Sequence, residues 1–226
     1  MIVSVIFAVF LFAAVVLYTT GYVKKINKMQ FITLPLILPF SLGTVIPLYL
    51  MKLPDSIHIM VLSILAVVSA VVNLVLTETK VKYRDHLENL FKLICVILWI
   101  HCFYSVFFVY RISLVCVILT GLVYIALTVA SIIFFKLKNF KKLIVYLLLV
   151  SLSWFLNFLT LTNLIYSGKL YFISGLFASL FMVASNTLSF SSELKGKYRH
   201  TEILLNCGFI LSNLLFIAQT VMMQLL

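Results

Sequence analysis

Three places in this 226-residue chain set polar side chains inside long apolar runs: Asn73 in SAVVNLVL (69–76), His101 with Tyr104 in IHCFY (100–104), and Ser185-Asn186 in FMVASNTLSF (181–190). In a lipid surrounding, an amide is costly unless it is turned to partners or to a wet cavity. An asparagine can hold a substrate or a water but has no proton to give. His101 is the single mid-run side chain of a type that changes charge near neutral pH. Tyr104 stands three residues on, on the same helical face. One reading makes these residues the lining of a shared pocket within the membrane, with His101 the group able to move a proton. The other makes each a hydrogen-bonding point between packed helices.

The elements that must carry them are membrane helices. The chain is 64% hydrophobic and 10% charged, with a mean hydropathy of +1.22, whereas a soluble domain is about half apolar and about a quarter charged. The net charge of +11 is spread between apolar runs rather than along one basic face, which points to a membrane surface and away from nucleic acid. Cys95, Cys102, Cys116 and Cys207 all fall in apolar runs without metal-ligand spacing, and read as buried thiols.

A membrane helix needs about 20 predominantly apolar residues. Breaking the chain at its charges predicts eight spans, near 2–23, 30–51, 57–77, 90–110, 112–135, 143–166, 170–191 and 203–225. The expected fold is an all-α, polytopic bundle of eight transmembrane helices forming a single domain over 1–226. The first span, with no basic residue before it and no small-residue cleavage pattern after it, reads as a retained helix. Every lysine and arginine except Lys52, Arg111 and Lys169 lies in or beside the loops after spans 1, 3, 5 and 7. By the positive-inside rule those loops are cytoplasmic and both termini face the non-cytoplasmic side. Lysine over arginine, with much Ile, Leu and Phe, suggests a bacterial cytoplasmic membrane. Span 2 carries Pro35, Pro39 and Pro47 with Gly43, so a kink is expected there.

No Asp or Glu falls within a span; Asp55, Glu78, Asp85, Glu88, Glu193 and Glu202 are at ends or in loops. Buried paired carboxylates, as a proton pump would use, are therefore not expected. Polar residues recur instead at helical steps: Ser69, Asn73 and Thr77; Ser153, Asn157 and Thr160; Ser179, Asn186 and Ser189; Asn206 and Asn213. Such stripes serve helix packing in lipid at roughly 0.6 to 2 kcal/mol per interhelical hydrogen bond, and several of them converging would also make a polar centre. No phosphate-cradling glycine loop, nucleophile elbow or HExxH is present, and neither a metal nor a cofactor is expected.

Five short stretches resemble the YhhN-like lysoplasmalogenase family, relatives of transmembrane protein 86. Thr33-Leu34-Pro35-Leu36 with Pro39 resembles a T-K-P-L…P stretch in span 2. Ile100 to Tyr104 with Phe107 resembles H-x-x-Y…F in span 4. Ser69 to Leu76 and Ala178 to Leu188 resemble two motifs of the S-x-x-G-D-x-x-L and F-x-x-S-D-x-x-L kind, and Ala218-Gln219 an A-Q near the C-terminus. The resemblance implies an ether hydrolase that cleaves the vinyl ether of a lysolipid to a fatty aldehyde and a glycerophospho-base. It implies His101, Asn73, Asn186 and Tyr104 at the reaction centre, and Ser69, Ser185, Thr33, Pro35 and Gln219 about the substrate. The expected partners are a lysolipid and membrane lipid. This chain departs from the family at the two aspartates, which are Asn73 and Asn186 here, and at the span 2 lysine, which is Leu34. The reaction needs a proton on the vinyl carbon and then water. Three readings follow: an ether hydrolase with its chemistry shifted to His101, a non-catalytic relative that binds or senses lysolipid, or a small transporter.

Overall fold

A computed structural model of the chain describes residues 2–24, 26–50, 57–78, 83–107, 114–135, 140–195 and 199–225. Among these residues there are eight α-helices and no strand: α1 (Ile2–Val23), α2 (Asn27–Leu50), α3 (Ile57–Glu78), α4 (Arg84–Phe107), α5 (Leu114–Phe135), α6 (Phe140–Ser167), α7 (Phe172–Lys195) and α8 (Arg199–Leu225). Each predicted span falls on one helix. Within the described residues, α3, α4, α6, α7 and α8 are long and apolar enough to cross a membrane, while α1, α2 and α5 contribute shorter apolar stretches. The protein is an integral, multi-pass membrane protein. Lys25, Lys52, Asp55, Lys80, Lys82, Arg111, Lys136, Lys138 and Lys197, which entered the charge reading of the loops, lie outside the described residues.

Helix ends differ from the predicted breaks where charge was read as a stop. α4 begins at Arg84, not near residue 90. Asp85 in its first turn suits the positive end of the helix dipole, and Arg84 pairs with Glu88 one turn on. Tyr83, with φ 67°, turns the chain into this helix, and its carbonyl accepts from His86 and Leu87 N–H. A charged turn can continue a helix past the hydrocarbon boundary into the interface. α2 runs through Pro35, Pro39 and Pro47 as one helix.

The chain forms two compact units, Met1–Leu98 with Thr220–Leu226, and Trp99–Gln219, whose boundaries fall inside α4 and α8. In the first unit, α1 packs on α2 and α2 on α3. Gly43 lets the Phe7 ring lie against the α2 backbone, where a Cβ would collide with it, and Phe10 stacks on Phe40 at 5.6 Å. On α3, Leu62, Ala66, Ala70 and Leu74 are buried while Val61, Leu65 and Val68 are exposed, the phase of a helix with one packed face and one facing lipid.

In the second unit, α6 packs on α7, and α5 lies against both. Trp99 and Phe103 of α4 and Phe216 of α8 form an aromatic cluster with centroids 5.1–6.0 Å apart. Trp99 Nε1 donates to Asn213 Oδ1 at 2.9 Å, and Asn213 Nδ2 donates to the Phe209 carbonyl. The α6–α7 turn rests on Gly168. Its φ of 63° is left-handed and nothing lies within 4 Å of a Cβ there, so conformation rather than space requires glycine. Its N–H closes on the Leu164 carbonyl at 3.0 Å in an αL cap.

Candidate functional site

The residues singled out from the sequence divide between the two units. Thr33 and Pro35 on α2 and Ser69 and Asn73 on α3 belong to the first. Thr33, Ser69 and Asn73 are buried and Pro35 is half-buried. Thr33 Oγ1 donates to the Met29 carbonyl of its own helix at 2.7 Å. Asn73 is 1% exposed and its Oδ1 accepts no hydrogen bond. In lipid such an orphan acceptor costs up to several kcal/mol, so it has a hydrogen bond to gain from a guest.

The second unit holds His101, Tyr104, Ser185, Asn186 and Gln219. His101 and Tyr104 share one face of α4, as the spacing predicts, and that face is exposed together with Ile97, while Trp99, Cys102 and Phe103 are buried. Asn186 is fully buried on α7. Its Nδ2 donates to Ser153 Oγ of α6 at 2.9 Å and its Oδ1 has no donor. Ser185 Oγ donates to the Leu205 carbonyl of α8 at 3.0 Å. Gln219 is fully buried and lies over Gly175, where a Cβ would collide with Oε1. The imidazole thus meets the lipid side while the amides are enclosed.

The enclosed amides form a seam. Ser153 with Asn186, and Asn157 with Ser179 (2.8 Å), are successive rungs between antiparallel α6 and α7; Thr160 against Gly175 is the next. Each serine passes its own proton to its helix, Ser153 to the Leu149 carbonyl and Ser179 to that of Leu176, so its oxygen is free to accept from the opposing asparagine. Asn163, one turn further along α6, is fully buried with neither end of its amide bonded, and Ser212 Oγ on α8 is buried without a partner. Asn163 was not among the sequence-derived candidates, although it continues the Ser153, Asn157, Thr160 stripe by one helical step.

A second feature has no counterpart in the sequence reading. A hollow of about 310 Å³ opens on the α5–α6 face, with Thr120, Gly121, Tyr124, Ser151 and Trp154 in its wall. None of the residues singled out from the sequence lines it. Among the described residues, no three His, Cys, Asp or Glu side chains gather as a metal ion requires. No family model, curated protein or solved structure matches this chain.

Proposed function

We propose that this protein handles a single-chain ether lipid in a bacterial cytoplasmic membrane, as a divergent lysoplasmalogenase-type hydrolase with both termini on the non-cytoplasmic side. One observation carries the reading: in the stretch that resembles the second family motif, Asn186 is sealed from solvent with its donor fixed by Ser153 and its acceptor unclaimed. An acceptor held in that way can orient a water or a substrate hydroxyl. Hydrolysis would proceed by protonation of the vinyl carbon distal to oxygen, addition of water to the oxocarbenium carbon, and collapse of the hemiacetal to aldehyde and free glycerol hydroxyl. His101, open to the lipid side of α4, is the side chain assigned to the proton, with Tyr104 beside it.

Binding without turnover is the second reading. It is favoured by the amide character of Asn73 and Asn186, since neither can act as the acid. Purified protein in detergent micelles, given 1-alkenyl lysophosphatidylethanolamine, is expected to release fatty aldehyde, and His101→Ala to abolish the release. Aldehyde formed equally by the variant removes His101 from the mechanism. No aldehyde from either, with saturable lysolipid binding retained, selects the binding reading.

A further inference from the structure

The α5–α6 hollow offers hydrogen bonds that no protein atom takes up. Tyr124 OH and Ser151 Oγ share one hydrogen bond of 2.6 Å, which uses one of their two hydroxyl protons. Thr120 gives its proton to the Cys116 carbonyl. The wall is otherwise apolar; beside the acceptor lone pairs of its hydroxyl oxygens it keeps one unspent donor proton, at the Tyr124–Ser151 pair. Leu122 and Ile125 on the same helix are exposed, so whatever enters comes from lipid.

Depth narrows the guest. Tyr124 stands near the middle of α5, roughly 15 Å by helical rise from either end, which is about half the hydrocarbon thickness, and Trp154 near the middle of the longer α6, roughly 20 Å from either end. A phospholipid anchored at the interface keeps its ester oxygens well above that level. The volume, about 310 Å³, is at the small end of ligand sites and suits one chain rather than two. We propose that this groove binds an uncharged, single-chain lipid bearing a carbonyl, its chain over Gly121 and its oxygen accepting from the Tyr124–Ser151 pair. The assignment is independent of the ether-hydrolase reading.

The chain has two tryptophans. Trp99 is fully buried and bonded to Asn213, so quenching by an apolar quencher reports on Trp154. With the intact protein in maltoside micelles, 1-bromododecane is expected to quench saturably. Displacement by 2-dodecanone should need about tenfold less competitor than displacement by dodecane, the worth of one hydrogen bond. Tyr124→Phe with Ser151→Ala should bring the two competitors level, and Tyr124→Phe alone, which keeps the ring, should narrow their difference. Gly121→Leu adds a side chain at the wall of the hollow, where nothing lies within 4 Å of a Cβ, and should remove the saturable quenching. Equal competition by ketone and alkane, or unchanged quenching after Gly121→Leu, overturns the proposal. So does a groove covered by a second copy, seen as a dimer by light scattering with no quenching at all.

Discussion

Asn186 donates to Ser153 across α6 and α7 at 2.9 Å, and one turn on along α6, two turns back along α7, the pattern is reversed, with Asn157 of α6 donating to Ser179 of α7. Each rung thus joins one asparagine to one serine whose own proton is already spent on its helix. In lipid this is the dominant directional tie between the two helices, because apolar side chains gain little by leaving one apolar surrounding for another.

Removing a rung should therefore loosen the unit by a measurable but limited amount. Asn157→Leu is expected to cost about 1–2 kcal/mol in reversible unfolding from detergent micelles, since Ser179 loses its donor and Asn157 no longer spans the helices. A double-mutant cycle with Ser179→Ala should return a coupling near 0.6–1 kcal/mol. Zero coupling means that the two side chains are neighbours without a bond.

Glycines on α5 and α7 should behave oppositely. A Cβ at Gly175 overlaps Gln219 Oε1 and meets Thr160 Cγ2 at 3.0 Å, so Gly175→Ala is expected to destabilise by about 1–3 kcal/mol. Gln219→Ala in the same chain should recover most of that loss. Gly121→Ala, with open space around it, should be neutral or slightly stabilising, as helix propensity favours alanine by up to about 1 kcal/mol. Thermal unfolding of the three variants side by side checks both expectations.

The number of helices and their rough placing were legible because lipid demands long apolar runs, but the start of α4 was not, because its first turn is charged. Helix phase was legible only where polar residues repeat at helical steps, as at Ser153, Asn157 and Thr160. α4 is apolar around most of its middle, so nothing in IHCFY says whether His101 turns inward with Cys102 or outward with Ile97. Packing decides it: Trp99 and Phe103 claim the inner face against Phe216 and leave His101 exposed. The groove was illegible for a related reason. It arises where small Gly121 on one helix passes Ser151 and Trp154 on another, and no periodicity within either helix records that register.

The Trp99–Asn213 bond tests whether the α4–α8 contact is aromatic or polar in origin. Trp99→Phe keeps a ring against Phe103 and Phe216 but leaves Asn213 Oδ1 without its indole donor. The expected loss is about 1–2 kcal/mol. Asn213→Leu leaves the indole N–H of Trp99 without its acceptor, and should cost at least as much while shifting the tryptophan emission. Loss in Trp99→Phe alone, with no spectral change in Asn213→Leu, would assign the contact to the rings.

Asn186→Asp probes the proposed reaction most directly. The exchange is isosteric, and Ser153 Oγ remains opposite, its proton given to the Leu149 carbonyl and its oxygen able to accept from a carboxylic acid. What changes is the chemistry: a carboxyl group carries a transferable proton that an amide lacks, and general acid catalysis is worth typically 10²–10⁴-fold when geometry allows it. Aldehyde release from the lysoplasmalogen is expected to rise at least tenfold over the parent, toward the lower end of that range because Asn73 stays an amide. Asn186→Leu, matched for burial but unable to hold water, should lower the parent's release. A rise confined to Asn186→Asp places position 186 beside the vinyl ether. Equal rates in the parent and both variants mean that the seam only joins helices.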